Sequence, residues 1–389
     1  AYIQVSVRTE QGDKVLAINF SSGEWEAGTV SGKTATTGHK TVRKIKTPFR
    51  DIEASPNHRF FTVDNLEIKE TEAQDLSEGE LLPVNFMQLD GQKITPGLDT
   101  KIDYGSRRKE SANLPVRLDE KLASLIGYMQ GDGHFRSETS IRITDADMAL
   151  LETYGHMVHE IFNYEPLVRH HSGKSKNAWV LEINNAKIIR FLEKNFPKIL
   201  AKSLEREAPQ KIMDSGSKIK AAYLRGLMDA EGSVSPKKSK IRFTSLSKNL
   251  MNQACRLMSD VGVRCTFDRK YSTLHISSGS NIRAFAKIVG FNSIRKKEKM
   301  LYLSGKTSLH EKDIVPIVST DLRRIIKEAG LFGSVHNSPI FMRNNLSLYD
   351  WMTRGDNSYC TRKTAANLAS LLESRLGELT QLNTDFEHS

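Results

Sequence analysis

The feature that most constrains this chain is a short motif that occurs twice. The first copy reads Leu125-Ile126-Gly127-Tyr128-Met129-Gln130-Gly131-Asp132-Gly133, the second Leu224-Arg225-Gly226-Leu227-Met228-Asp229-Ala230-Glu231-Gly232. Laid over each other, the copies share Leu, Gly, a small residue, an acid and a final Gly at the same offsets. A unit repeated within one chain, each copy ending in one carboxylate, builds a two-fold site with two acids at its centre.

Both copies carry helical spacing. Leu122, Leu125, Ile126 and Met129 recur at helical offsets ahead of Asp132, as Ala221, Leu224 and Met228 do ahead of Glu231. Each segment therefore has one apolar stripe. Gly127 and Gly131 lie four apart, as do Gly226 and Ala230. Small residues at that spacing give a helix a smooth face where another backbone approaches closely. Packed along those faces, the helices bring their C-terminal ends together, with Gly133 and Gly232 expected to supply the left-handed turn that ends each. Asp132 and Glu231 then stand side by side, where the helix dipoles and mutual repulsion both oppose negative charge. Such an arrangement suits divalent cations. Hard oxygen ligands favour Mg²⁺, which keeps waters and phosphate oxygens in its shell. A metal-bound water can attack a phosphodiester, and a metal can stabilise the leaving oxygen.

The balance of charge points the same way. A formal net charge of +11 suits a polyanionic partner, and nucleic acid is the commonest. At 389 residues the chain should hold two or three domains. Cys255, Cys265 and Cys360 match no zinc pattern and no disulfide framework, which favours a reducing compartment. The chain shows no apolar run of membrane-spanning length and no signal peptide, so a soluble, cytoplasmic protein is expected. His156 and His159 share a helix but lack a third ligand; a sheet-covering face accounts for them as well as a metal would.

The two motif copies resemble the paired LAGLIDADG motifs of homing endonucleases. The second departs from that name only at Arg225, Met228 and Glu231, and the first has the looser Gly-Tyr-x-x-Gly-Asp-Gly form of first repeats. The run from Lys218 to Gly232 is similar to the version carried inside inteins. The resemblance implies an α+β fold: a pseudo-two-fold αββαββα core at residues 116–305, with two saddle-shaped antiparallel sheets under a central helix pair. Hairpins are expected at 133–144 and 167–183, then 234–245 and 263–276, with helices at 147–161 and 249–259.

The hairpins carry the basic residues: Arg136, Arg142, Arg169, His170, Lys174 and Lys176 in the first half, and Lys237, Lys238, Lys240, Arg242, Arg264, Arg269 and Lys270 in the second. A two-stranded ribbon fits the DNA major groove, where Arg and Lys read base edges. Others neutralise phosphates and set the register. The resemblance also implies metal ligation by Asp132 and Glu231, with Gly131 and Ala230 beside them. It implies a basic residue near the nucleophilic water at the end of each repeat. Lys202 and Lys297, each six residues past a Phe (Phe196 and Phe291), fit that place, with Lys296 as an alternative to Lys297.

Residues 1–90 read as short strands, at 2–7, 14–19, 40–46, 52–54 and 60–63, and residues 91–115 as a linker. The string Ser55-Pro56-Asn57-His58-Arg59-Phe60-Phe61-Thr62 resembles the block of intein splicing (Hint) domains that contains a Thr-x-x-His core, with Ser55 in place of the Thr. Residues 12–19 and 70–84 also look intein-like. In that family the His helps activate the first peptide bond for acyl shift, the role implied for His58. Ala1 offers no nucleophile for that shift, and the chain closes on Phe386-Glu387-His388-Ser389 without a terminal His-Asn. Ala1 and His58 are therefore expected to be vestiges of an incomplete or inactivated splicing domain. Val335-His336-Asn337-Ser338 imitates an intein junction by chance. Residues 306–389 are expected to be mostly helical, at 321–331, 346–352 and 363–375, with Trp351, Arg354 and Lys363 available to DNA.

The expectation is a monomeric, site-specific double-stranded DNA homing endonuclease, hydrolysing phosphodiesters with Mg²⁺ at a long target. The target should be asymmetric, because the halves differ. As written, the chain should not splice. The rivals are a non-cleaving nucleic-acid binder of the same fold, either an RNA maturase or a DNA regulator, and a self-splicing intein in its complete form.

Overall fold

The computed structural model describes residues 11–12, 14–18, 25–32, 41–48, 51–64, 67–83, 95–103, 111–171, 178–306, 314–318 and 359–361, and single residues at 324, 366, 369, 370 and 373. The chain divides into two compact units. One takes in residues 1–45, 52–84 and 312–389, the other 46–51 and 85–311.

The first unit is built of short paired strands. β1 (Lys14–Ile18) pairs antiparallel with β2 (Trp25–Thr29), β3 (Arg43–Lys46) with β4 (Asp51–Ala54), and β5 (Arg59–Asp64) antiparallel with β6 (Glu67–Glu72). Strands thus make up most of the described residues between 14 and 72. Ala1 and the strand expected at 2–7 lie outside them.

The second unit repeats one pattern. The first copy runs α1 (Glu120–Asp132), β7 (Gly133–Ser137), β8 (Ser140–Asp145), α2 (Met148–Phe162), β9 (Leu167–His170), β10 (Trp179–Ile183) and α3 (Ala186–Asn195). After the short α4 (Gln210–Met213), the second runs α5 (Ser217–Glu231), β11 (Gly232–Ser235), β12 (Lys240–Thr244), α6 (Lys248–Asp260), β13 (Thr266–Asp268), β14 (Thr273–Ile276) and α7 (Gly279–Ile288), followed by α8 (Ile294–Ser304). Side-chain oxygens cap the starts of these helices. Asp119, Asp147 and Ser247 accept from Leu122 N, Leu150 N and Leu250 N, satisfying amides that have no partner inside the helix.

Each copy folds its strands into a four-stranded antiparallel sheet, β7-β8-β10-β9 in the first and β11-β12-β14-β13 in the second. The register fixes the faces. Ile141, Ile143, Leu181 and Ile183 turn into the core of the first sheet, as Ile241, Phe243, Leu274 and Ile276 do in the second. Alternation then puts Arg142 opposite Glu182, and Arg242 opposite His275, on the outer faces.

α1 and α5 meet at the centre of one shared core. They touch backbone to backbone. A Cβ at Gly127 would fall 2.1 Å from Tyr223 O, and one at Gly226 would fall 1.9 Å from Ser124 O. Glycine is required there by proximity alone.

Gly133 and Gly232 act differently from the expectation. Neither is left-handed: their φ, ψ angles are −83°, 149° and −80°, 151°, an extended conformation that starts the next strand at once. Their amides close the helices on Met129 O and Met228 O. A Cβ on either would lie 2.4 Å from that same carbonyl, so space and not handedness selects glycine.

Two stretches join this unit that the sequence did not assign to it. Within the expected linker, Leu98 N donates to Val116 O, Asp99 N to Asn195 Oδ1 and Leu118 N to Pro96 O, while Leu98 and Ile102 pack on the core. Pro48 and Asp51 lie against the edge strand β13: Phe267 N donates to Pro48 O at 2.7 Å, and Arg269 Nε to Asp51 Oδ1 at 2.7 Å. An edge strand's open amides are satisfied in this way.

Of residues 306–389, those described at 324, 366, 369, 370 and 373 are helical, within the helices expected at 321–331 and 363–375, while two short stretches are strands where no helix was expected. β15 (Ile314–Val318) and β16 (Tyr359–Thr361) are strands paired antiparallel. The expected helices fall largely outside the described residues, as do Trp351, Arg354, Lys363 and residues 335–338. Among the described residues, no helix is long and apolar enough to cross a membrane.

Candidate active site

The locked helix pair delivers its last residues to one point. Asp132 ends α1 and Glu231 ends α5, with Gly131 packed on Ala230 just before them. The sequence brought these two acids together, and so does the structure. Burial pushes the Asp132 carboxyl up to about 7; the charges of Glu231 and Asp145 add to the rise, against Lys296 and Arg206. Desolvation and the nearby carboxylates thus act in the same direction, against the two cations.

Beside Asp132 opens a cavity of about 280 Å³, lined by Asp132, Asp145, Asp147, Ser293, Arg295 and Lys296 among others. Asp145 ends β8 and accepts from Tyr128 Oη at 2.9 Å. Asp147 caps α2 and accepts from Ser293 Oγ at 3.0 Å, tying the start of α8 to the first repeat. Tyr128 stacks on Tyr154 at 3.9 Å, and Tyr154 Oη donates to the buried Asp229 at 2.8 Å. Asp229 also accepts from Asn292 N and Ser293 N. Burial raises its carboxyl against these hydrogen bonds. A polar chain therefore runs from the cavity through the helix pair to α8.

The cations sit differently from the expectation. Lys202 and Lys297 are both exposed. Lys296 takes the inner place: its Nζ donates to the carbonyls of Met228, Asp229 and Ala230, closing the end of α5. Burial lowers its ammonium, with Asp229, Asp145 and Asp132 pulling the other way. Past the first repeat, the cation that meets a motif acid is Arg206, whose Nη1 lies 3.2 Å from Glu231 Oε1. Its Nε is buried without a hydrogen-bond partner. The Ala230 carbonyl, expected beside a metal, faces Lys296 at 3.4 Å.

Asp145 and Arg206 were not singled out from the sequence. Asp145 has no acidic counterpart, because the registers Gly133↔Ile143 and Gly232↔Phe243 match it to Ser245. A search for repeated acids passes over it. Arg206 lies four residues past Lys202, and only the turn between them selects it.

Among the described residues, no three His, Cys, Asp or Glu side chains gather around a point that would hold a metal ion. Two carboxylates at one spot, one of them raised by burial and by its acidic neighbours, fit a hard cation that completes its shell with water and phosphate. They do not fit an all-protein cage.

The outer faces of the sheets carry the basic residues. Arg136, Arg142 and Arg169 all converge on Oε1 of Glu182, whose side chain is 2 % exposed. His170 packs edge-on against Trp179 at 5.2 Å. Lys174 and Lys176 lie outside the described residues. In the second sheet, Lys237 and Lys238 are exposed at the β11–β12 turn, Lys240 and Arg242 are half-buried, and Lys270 lies over the Tyr271 ring. Arg264 is half-buried, and Arg269 is engaged with Asp51 and Thr47 O. In the first unit, His58 is exposed beside the Phe60 ring.

One comparison with known proteins falls on the same repeats. The family model of a LAGLIDADG-like domain matches residues 119–195 and again 218–290. Among curated proteins, the chain is 23% identical over 397 residues to a glutamine–fructose-6-phosphate aminotransferase of Methanocaldococcus jannaschii, covering 81% of this chain and 36% of that one. It is 25% identical over 245 residues to one component of the A-type ATP synthase of Pyrococcus abyssi (60% and 23%). It is 26% identical over 235 residues to the replicative DNA helicase DnaB of a Synechocystis strain (58% and 24%). The chain thus spans about a third or less of the length of these relatives. Among solved structures, the homing endonuclease I-DmoI in complex with DNA and Ca is 20% identical with a TM-score of 0.34, covering 48% of this chain and 98% of that one. The N-terminal LAGLIDADG domain of DUF199/WhiA is 13% identical with a TM-score of 0.33 (52% and 91%). Residues 119–195 and 218–290, which end the motif helices in paired acids and follow each with a four-stranded sheet, are the two repeats of a LAGLIDADG-like domain.

Proposed function

We propose that this chain is a site-specific endonuclease of the homing type, which binds double-stranded DNA along its two sheets and cuts it at the end of the helix pair. One observation carries this reading. Asp132 and Glu231 end two helices that glycine contacts lock together, and burial and neighbouring carboxylates leave Asp132 raised. A fold keeps such a concentration of negative charge for a use. Asp132 and Glu231 would hold a divalent cation, Mg²⁺ in the cell, which supplies an activated water and stabilises the leaving oxygen. Lys296 holds the end of α5 in place by its three carbonyl bonds, and Arg206 orients Glu231. The halves carry different side chains, so a single chain acts as its own pseudo-dimer on a long, asymmetric target.

The relatives support a mobile element as the source. An aminotransferase, an ATP synthase and a DNA helicase share no common activity, yet each matches this chain over only part of its length. A segment that recurs in unrelated hosts is an insertion with a function of its own. The β-hairpins around His58 fit the Hint-like domain of such an insertion.

A second reading has its own observation. The ion pair of Arg206 with Glu231 supplies one acid with a cation from the protein itself, as a non-cleaving, nucleic-acid-binding member of the fold would. Plasmids carrying a library of targets separate the two. The first reading gives linear product with Mg²⁺, lost in Asp132→Asn and in Glu231→Gln while duplex binding is kept. Binding without any linear product would favour the second.

A further inference from the structure

The outer faces of the two sheets are not equivalent. In the first, Glu182 is buried beneath Arg136, Arg142 and Arg169, and all three guanidinium groups reach its Oε1, at 3.4 Å from Arg136 and 2.9 Å from Arg169, with Arg142 bound through both Nε and Nη2. In the second, the matching register position is His275, opposite Arg242. Arg242 Nε is buried there without a hydrogen-bond partner, and the carboxylate near His275, Asp268, stands 4.0 Å away.

We propose that Glu182 is a positioning residue that fixes Arg136, Arg142 and Arg169 as an ordered donor array, so that the first sheet reads guanine edges in the major groove more stringently than the second. This rests on the DNA-binding reading above. A guanidinium group presents five donors in a fixed fork, and one shared carboxylate oxygen uses few of the set. The side chains stay open to solvent to different degrees, 54% at Arg136, 34% at Arg169 and 19% at Arg142, so the array has a graded depth. Arg pairs bidentately with the O6 and N7 of guanine, and misplacing the fork by a rotamer forfeits that geometry. An arginine anchored before binding loses less freedom when it binds, and it cannot swing to a phosphate and accept any sequence. Arg242 has no such anchor on its Nε, and its half of the target should be read more loosely.

The test is selection of a random duplex DNA library in EDTA with the full chain, comparing wild type, Glu182→Gln and Arg136→Lys. Gln keeps an acceptor but loses the charge that gathers three cations. The expected result is guanine-rich enrichment in one half of the wild-type site. Glu182→Gln should weaken it about tenfold or more in that half and leave the other half's enrichment as it was. Arg136→Lys, at the most exposed of the three, should relax a single base position in the same half. Thermal melting of each variant verifies the fold, and Arg136→Lys carries the test should Glu182→Gln unfold. Unchanged selection in both variants overturns the proposal. So does an equal loss in both halves, the mark of a merely structural role. A wild-type chain that binds no duplex removes the DNA reading itself, and this inference with it.

Discussion

Glu182 shows how one residue combines stability with recognition. Burial pushes its carboxyl up, but the hydrogen bonds and charges of Arg142 and Arg169 outweigh that and hold it below its ordinary 4.5. The sign follows from linkage. A carboxyl depressed in the folded state contributes stability that is full above its unfolded value and is lost as pH falls through the folded one. Glu182→Gln should therefore cost on the order of 2 kcal/mol at neutral pH, since it leaves three clustered cations without their counter-charge. The gap to wild type should close as pH drops below about 4.5. Denaturant midpoints of both proteins between pH 7 and pH 3 would show it. A gap that stays constant with pH would mean that the charge of Glu182 does not hold the cluster. The sequence offered Arg136, Arg142 and Arg169 as separate basic residues. It could not show that they share one partner, because Glu182 lies on a different strand and its role exists only once β8, β9 and β10 are in register.

Among the elements, the pair α1 and α5 decides everything that follows. Its stability rests on two hydrogens, where Gly127 and Gly226 meet the opposite backbone. Gly127→Ala or Gly226→Ala gains helix propensity worth about 1 kcal/mol. Each should nevertheless destabilise the chain by about 3 kcal/mol or more, since a methyl group against a rigid carbonyl has nowhere to go. By contrast, Gly290 offers an ordinary distance of 3.7 Å but a φ of 66°, so Ala there is limited by backbone strain instead. Calorimetry of the three variants separates close approach from handedness. Equal, small losses at Gly127 and Gly226 would refute the backbone contact. The helix pair and the paired acids were legible because the spacing of the repeated motif encodes them locally, while the hairpins were expected partly from the family resemblance. The ends of the helices were misread for an equally local reason. A glycine after a helix signals a left-handed turn in most chains, and only the immediate start of β7 and β11 reveals that it is extended here. Of the two lysines offered for the end of repeat two, helix α8 turns Lys296 onto the end of α5 and leaves Lys297 exposed. Asp145, Arg206 and the docking of Pro48 and Asp51 on β13 depend on contacts between distant parts of the chain, which no local pattern announces.

At the scale of the whole molecule, the net charge of +11 overstates what DNA would feel. Arg269 is paired with Asp51, and three arginines share Glu182. The exposed lysines at the β11–β12 turn, Lys237 and Lys238, and Lys270 beside Tyr271 are better placed to neutralise phosphates. Counterion release makes affinity fall steeply with salt, by about a thousandfold between 50 and 200 mM if roughly six phosphates are met. We predict a slope of that order, shallower than the formal charge suggests, from binding titrations on a non-selected duplex in EDTA. Glu182→Gln should steepen it by about one unit, because releasing the array from its internal anion frees a cation for the backbone. The same substitution thus moves two quantities in opposite directions: sequence preference falls while salt-sensitive, sequence-blind binding rises. Loss of both together would mean that the sheet had come apart, and no change in slope would mean that the three arginines do not face the DNA.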